Sequence, residues 1–156
     1  MTILTQQDID NHCAKLNISR ENLTEFVIPD GVTEIVRWAF RGCSALTSVT
    51  IPNGVTEIGL GAFEYCESLS SITIPDSVTE IGYEAFRNCT SLTSITIPDS
   101  VTDIGSEAFE GCTSLSSITI PDSVTVIDGA FQRCTSLTSI TLPDSLTFIG
   151  PSTFNK

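Results

Sequence analysis

The sequence predicts an α/β repeat solenoid, a right-handed spiral of six coils with about 23 residues in each. A leucine opens every unit, and the units follow one another at spacings of 23, 23, 23, 23 and 22 residues. The six leucines are Leu23, Leu46, Leu69, Leu92, Leu115 and Leu137. Prolines recur in step with them from Pro29 to Pro143, as do phenylalanines from Phe40 to Phe154. One such unit cannot bury enough apolar surface to fold alone, so neighbouring units must stack.

The repeats are preceded by a segment of different sequence, residues 1–22, which is predicted to be an N-terminal helical cap. Thr5 followed by Asp8 is typical of a capping box at the start of a helix. Ile9, Cys13 and Leu16 then fall at helical spacing and are expected to cover the open apolar end of the first coil. The six repeats occupy residues 23–45, 46–68, 69–91, 92–114, 115–136 and 137–156.

Each coil is predicted to have three sides, which the fourth unit illustrates. Residues 94–97 alternate polar and apolar side chains and predict the first strand, whose copies form a parallel β ladder on the concave side. Pro98 ends that strand, because proline cannot donate a ladder hydrogen bond. Residues 101–104 predict a short second strand that Gly105 closes, and residues 106–112 suit one helical turn per coil, docked by alanine and phenylalanine.

The composition excludes several classes of function. Of the 156 residues, 19 are acidic and 7 are basic, and the formal net charge of −12 repels nucleic acid. No apolar run approaches the ~20 residues of a membrane helix, so membrane insertion is not expected. The first residues have neither the basic nor the apolar region of a secretory signal, which fits a cytoplasmic protein or an excised piece of an exported one.

The motif within the units is similar to that of a known repeat family. Leu92, Ile95 and Ile97 match the L-x-x-L-x-L start of leucine-rich repeats. The continuation I-P-x-x-V-T-x-I-G-x-x-A-F-x-x-C resembles the BspA-like (treponemal-type) leucine-rich repeat over about residues 23–156. This resemblance implies a curved solenoid used for protein–protein contact, often on microbial cell surfaces, with adhesion to host or matrix proteins in some members. It implies no catalytic residues.

Residues that carry enzymatic or cofactor chemistry are sparse, and we expect no enzyme, no cofactor and no metal site. His12 is the only histidine and lies in the cap, away from any nucleophile of the repeats. The cysteines lack the close pairs of zinc sites and are expected to be reduced and buried as small apolar side chains. Five of them occupy equivalent positions, Cys43, Cys66, Cys89, Cys112 and Cys134.

Two kinds of polar column run along the predicted coils. Carboxylates repeat on the second strand, where we expect a solvated acidic face and keep calcium binding as the alternative. They are Glu34, Glu57, Glu80 and Asp103. Hydroxyls repeat on the first strand, beginning with Ser48 and Thr50, and are expected to bond to their neighbours. The alternative for the hydroxyls is a surface that binds a polysaccharide or ice.

Recognition of one particular partner requires positions that differ between units. These positions cluster in the predicted helical turn, where tryptophan, tyrosine and arginine occur, the residue types common in interface hot spots. The partner-binding candidates are Arg37, Trp38, Arg41, Tyr65, Tyr83, Arg87 and Arg133. Trp38 is the best candidate for an anchor, although packing of the irregular first unit against the helical cap is the favoured interpretation of this residue.

The last unit supplies no polar cap. Phe148, Ile149 and Phe154 are therefore expected to form a self-association edge, unless the natural chain continues past them. The resemblance implies a scaffold that recognises a protein partner, and the residues themselves add the solenoid and the lack of catalytic equipment. The alternative is a self-assembling structural element, a homo-oligomer joined through this C-terminal end, and a polysaccharide-binding surface is a third hypothesis.

Overall fold

In a computed structural model that describes residues 2–156, each sequence repeat forms one coil of a parallel β-solenoid, as predicted. Before the coils lie β1 (Thr2–Leu4), α1 (Gln6–Leu16) and a 3₁₀ turn, Arg20–Asn22. One column of strands contains β2 (Glu25–Val27), β4 (Ser48–Thr50), β8 (Ser117–Thr119) and β10 (Ser139–Thr141). The other contains β3 (Val32–Ile35), β5 (Glu57–Ile58), β6 (Glu80–Ile81), β7 (Asp103–Ile104), β9 (Val126–Ile127) and β11 (Phe148–Ile149).

The coils approach each other very closely just after the second strand. Glycine follows this strand in coils two to four, at Gly59, Gly82 and Gly105. The amide of Gly82 donates to Ile58 O at 2.7 Å, and a Cβ atom on Gly105 would lie 2.3 Å from Tyr83 N. Coil five carries Asp128 at the equivalent position, and the ladder through β1, β3, β5, β6 and β7 stops before β9. The ladder thus breaks at a coil that lacks this glycine.

The first-strand column is less regular than the sequence predicts. β2 pairs with β4 and β8 pairs with β10, and between these pairs lies an isolated bridge from Thr73 to Thr96. The longest ladder therefore belongs to the short second strand. Two features account for this difference. The glycine contacts lie beside the second strand, and each first strand is followed by a proline, which has no amide hydrogen to extend the ladder.

The third side of each coil consists of consecutive turns instead of the predicted helical turn. In coils one to five, two turn positions have left-handed backbone; Trp38 of coil one and Tyr65 of coil two, both with φ 60°, are examples of the first and second position. Hydrogen bonds alternate between and within coils: the Phe40 amide donates to Ala62 O of the next coil at 2.7 Å, and the Cys43 amide donates to Phe40 O at 3.0 Å. A left-handed residue cannot belong to a right-handed helix, which is why the segment is not helical.

Stacked phenylalanine rings run through the core. The rings of Phe40, Phe63, Phe86, Phe109, Phe131 and Phe154 follow one another with centroids 5.0–6.0 Å apart and planes within 6°. All but the last are fully buried. Phe26 meets the N-terminal end of the stack edge-on, 5.3 Å from Phe40. The periodic apolar pattern of the sequence therefore becomes one continuous column of like side chains.

The N-terminal segment is a helix plus a strand. The Asp8 amide donates to the Thr5 hydroxyl at 3.3 Å and the Asp8 carboxylate accepts from the Thr5 amide at 2.8 Å, which is the expected capping box. Ile9 and Cys13 of α1 are buried. The expectation for Leu16 is wrong, because this last residue of α1 is 55% exposed. β1 was not anticipated, and it extends the second-strand ladder by pairing with β3.

Candidate interaction surface

Trp38 lies on the turn side of coil one and packs over coil two. Its amide donates to Leu60 O at 2.9 Å, which fixes the backbone against the neighbouring coil. The equivalent position in coil two is Gly61, and a Cβ atom there would lie 2.6 Å from Trp38 Cδ1. Trp38 is half-buried, so one part of the indole covers Gly61 and another part faces solvent. Trp38 can therefore occupy this position only because residue 61 has no side chain.

Two arginines flank this indole. Arg37 Cζ lies 5.4 Å and Arg41 Cζ lies 5.9 Å from the Trp38 ring centroid, both within the range of cation–π attraction. Arg41 Cζ also lies 6.0 Å from the Tyr65 ring centroid. Arg41 Nε donates to Glu64 Oε2 at 2.8 Å. Burial raises the pKa of the Glu64 carboxyl, and the charge of Arg41 opposes that shift.

We call Arg37, Trp38, Arg41, Leu60 and Tyr65 the Trp38 patch. Leu60 and Tyr65 are exposed large side chains, and Arg37 and Arg41 are exposed as well. Tyr65 holds its position through its own left-handed backbone, with its amide donating to Arg87 O of coil three at 2.9 Å. Four of the predicted partner-binding residues therefore come together, on rigid turns of coils one and two.

The other three predicted residues lie in a separate charged cluster on coils three to five. Arg87 is paired with Glu84, lies 3.1 Å from Glu110 and 3.6 Å from Glu107, and Arg133 lies 3.2 Å from Glu110. The cluster is completed by Tyr83, whose pKa is raised by burial and by a hydrogen bond with Glu107. The ion pairs of Arg87 and Arg133 with Glu110 connect coils three, four and five. The charge alternates at 23-residue spacing along Arg41, Glu64, Arg87 and Glu110, a pattern that is visible in the sequence but was not predicted to matter.

The second-strand carboxylates form an in-register row on neighbouring strands. Glu34 pairs with Glu57, Glu57 with Glu80 and Glu80 with Asp103. Burial, followed by the charges of Glu80 and Glu34, raises the pKa of Glu57. Among residues 2–156, no three histidine, cysteine or carboxylate side chains gather in a way that could hold a metal ion.

The hydroxyl columns differ in their bonding. Ser48 and Thr50 are exposed and line a cleft of about 320 Å³ together with coil three. A second cleft, of about 410 Å³, lies between coils four and five. The threonines that bond to neighbouring coils belong to other columns, as when Thr79 Oγ1 donates to Thr56 O at 3.2 Å. The expectation that the first-strand hydroxyls bond to their neighbours is therefore wrong for Ser48 and Thr50. Threonines beside the strands make these bonds between coils.

The cysteine column lies in the core as small apolar side chains with weak thiol hydrogen bonds. All six cysteines are free and buried. Cys66 Sγ donates to Phe40 O at 3.2 Å, and the contact recurs one coil later from Cys89 to Phe63. Burial raises the pKa of Cys134 to about 12. Thiols held this far from ionisation are poor nucleophiles.

The last coil presents apolar side chains to solvent. Phe148, Ile149 and Phe154 are all exposed, with Phe148 at 50%. A cavity of about 170 Å³ lies at this end between Phe131, Leu137 and Phe154. At the other end, His12 of α1 packs edge-on against Phe26 with centroids 4.9 Å apart, as part of the cap.

Three solved structures are similar to this chain. A leucine-rich repeat protein of T. pallidum is 34% identical, with a TM-score of 0.80 over 86% of this chain and 66% of that chain. One of Bacteroides ovatus is 35% identical, with a TM-score of 0.67 over 83% and 40%. A leucine-rich cell surface protein of Faecalibacterium prausnitzii is 42% identical, with a TM-score of 0.72 over 76% and 32%. This chain thus spans about two thirds of the length of the first and under half of the others.

The sequence also matches a family of repeats. Residues 17–129 and 128–156 are similar to the BspA type leucine-rich repeat region, in six copies. A comparison with curated proteins gives no match. Within residues 2–156, no helix has the length and apolar character needed to cross a bilayer.

Proposed function

We propose, from the premise that this chain belongs to the BspA-type leucine-rich repeat family, that it is a non-catalytic scaffold that recognises another protein. The solenoid supplies a frame in which every coil is hydrogen-bonded to the next on its turn side, with strand pairing added along most of the stack. The Trp38 patch supplies the recognition surface. A setting at the cell surface, with adhesion as the biological role, is supported by the F. prausnitzii relative, which is named as a cell surface protein.

One observation carries this proposal: the Trp38 patch brings a tryptophan, a tyrosine and two arginines together on neighbouring coils. These residue types dominate binding hot spots because they offer large apolar faces together with directed hydrogen-bond donors. The backbones of Trp38 and Tyr65 are held by hydrogen bonds to the next coil, so binding does not have to order the backbone at these two residues. The first-strand serines and threonines repeat nearly unchanged along the stack, and a repeated surface cannot distinguish one location from another.

The repeat itself provides a variant that removes the patch without disturbing the fold. Trp38 and Tyr65 have left-handed backbone, and other coils have glycine at the equivalent positions, Gly61 and Gly111. Trp38→Gly and Tyr65→Gly should therefore leave the backbone relaxed. Glu107→Gly is the matched control, since Glu107 occupies the Trp38 position of coil four and lies outside the patch.

The experiment immobilises the three proteins and identifies what each captures from extracts of microbial and host cells. We expect wild type and Glu107→Gly to retain the same protein, and the Trp38→Gly, Tyr65→Gly double variant to lose it. Equal capture by all three proteins would remove the Trp38 patch as the recognition surface. Cleavage or conversion of any captured molecule would contradict the non-catalytic assignment.

A second candidate function is self-assembly, and the exposed Phe148, Ile149 and Phe154 support it. Three exposed apolar side chains around a strand edge favour contact with another molecule. Light scattering over a range of concentrations tests it directly. A rise in mass that Phe148→Asp abolishes would support self-assembly, and a constant monomer mass would exclude it.

A further inference from the structure

Arg37 is the exposed cation of the Trp38 patch that has no acidic partner. Every ion pair within residues 2–156 uses another arginine, namely Arg20, Arg41, Arg87 or Arg133. The net charge is −12, so carboxylates are abundant. Arg37 is thus the one arginine within residues 2–156 that forms no ion pair, and it lies beside an indole.

The Arg37 guanidinium lies over the indole, with Cζ 5.4 Å from the ring centroid, within the range of cation–π attraction. A guanidinium held against an aromatic ring directs its N–H groups along its own plane, away from the ring. Those groups match the two oxygens of a carboxylate and can bind it in a bidentate manner. Arg41 adds a second positive charge, since its side chain is 48% exposed although its Nε is bonded to Glu64.

Local charge is opposite to the charge of the whole protein. The patch and its buried neighbour Glu64 contain two arginines and one glutamate, which sum to +1, on a chain of −12. An acidic ligand is repelled by most of the surface and attracted here, so charge would direct it to this one place. Leu60 and Tyr65 provide apolar contact beside the charges.

We infer that the Trp38 patch binds an acidic segment of the partner protein, with a glutamate or aspartate carboxylate on Arg37 and the adjoining chain against Trp38 and Tyr65. This inference rests on the proposed function and adds the chemistry of the partner. Nucleic acid, the other common polyanion, is disfavoured because its many phosphates would face the acidic remainder of the chain.

Trp38 is the only tryptophan, so its fluorescence reports on this site alone. The probe is an eight-residue peptide of alternating glutamate and glycine, titrated at low salt. The same peptide with lysine in place of glutamate, and an oligothymidylate, are the comparison ligands. Arg37→Gln tests the site, and Arg133→Gln is the matched control, because it removes the same charge from a residue that is 72% exposed on coil five.

We expect the acidic peptide to change Trp38 fluorescence with saturation, and Arg37→Gln to weaken binding about tenfold. Arg133→Gln should alter the affinity by less than about twofold. Equal weakening by both variants, no response to the acidic peptide, or an equal response to oligothymidylate would overturn the inference. If the peptide fails while the Trp38→Gly, Tyr65→Gly double variant still loses its captured protein, the acidic class is wrong and the recognition surface stands.

Discussion

Arg20 Nη1 donates a hydrogen bond to Ala39 O at 2.8 Å. In the later coils, the equivalent carbonyl accepts its hydrogen bond from a backbone amide of the preceding coil. In coil two the equivalent carbonyl, that of Ala62, accepts from the Phe40 amide at 2.7 Å. Coil one is preceded by α1, and Arg20 takes the place of the missing amide. Its other nitrogens bind Asp10 and the carbonyl of Gln6, so one side chain joins α1 to the solenoid.

Replacing Arg20 is expected to loosen the cap. Arg20→Ala leaves the Ala39 carbonyl without its donor and removes the link to α1, at a cost of about 2–3 kcal/mol in the free energy of unfolding. Asp10→Asn is the control, because Asp10 is half exposed in its ion pair and should cost less than about 1 kcal/mol. Urea unfolding measures both, and equal costs would show that Arg20 acts only through its ion pair.

Left-handed backbone on the turn side should favour glycine. Arg133 has φ 57°, and the equivalent residue of coil four is Gly111. Arg133→Gly and Arg133→Ala both remove the ion pair with Glu110, but alanine keeps the Cβ atom that crowds this conformation. We expect the glycine variant to be about 1 kcal/mol more stable than the alanine variant in thermal unfolding. An alanine variant of equal or greater stability would contradict the left-handed assignment.

The phenylalanine column should be most sensitive in its middle. Phe86 is fully buried between two stacked rings, and Phe86→Ala should reduce the free energy of unfolding by about 3–5 kcal/mol through lost burial and a cavity. Phe154 is 39% exposed and 6.0 Å from its one stacked neighbour, so Phe154→Ala should cost only about 1 kcal/mol. Denaturant titration of the two variants compares them. Similar losses would argue against a continuous stack.

Stability is expected to fall as the pH rises through the region above 4.5. The pKa values of Glu57, Glu64 and Glu110 are raised, in each case chiefly by burial, from an ordinary value of 4.5. The folded state therefore binds protons more tightly than the unfolded state. The free energy of unfolding is highest when these groups are protonated and decreases as the pH rises through their folded pKa values.

Glu57→Gln isolates the contribution of the carboxylate row. It removes repulsion from Glu34 and Glu80 and should raise the free energy of unfolding at pH 7 by roughly 0.5 kcal/mol. The free energy of unfolding should also change less between pH 5 and pH 7 in the variant than in wild type. Glu67→Gln, an exposed position outside the row, is the control and should leave the pH dependence unchanged. Urea midpoints at the two pH values provide the test, and a wild-type protein more stable at pH 7 would contradict it.

Strict periodicity explains how much of the fold the sequence predicts. The 23-residue spacing of leucine, proline and phenylalanine is enough to indicate stacked coils, the buried cysteines and the sides of each unit. The capping box at Thr5 and Asp8 is readable because it depends on neighbours in sequence. The relative lengths of the two ladders were not readable, because they depend on how closely glycine columns let the coils approach.

The features that were not predicted depend on residues outside the repeat or on contacts between particular coils. β1 and Arg20 are in the nonrepetitive segment, and their partners, β3 and Ala39, lie far along the chain. The partner-binding candidates were chosen as one set, but their division into the Trp38 patch and the charged cluster depends on which coil each residue occupies. The left-handed turns were missed because Trp38 and Tyr65 are residues that seldom adopt them.

Successive coils lie in register one above another, and a distance measured between spin labels on the first and last coils tests this arrangement. Glu25 and Ser139 are exposed and occupy equivalent positions in coils one and six. The native cysteines are buried and resist labelling, so cysteines introduced at these two positions carry the labels. Five steps of ~4.8 Å predict one narrow distribution with the two backbones about 24 Å apart. A broad distribution, or a mean separation beyond about 40 Å, would contradict the stacked solenoid.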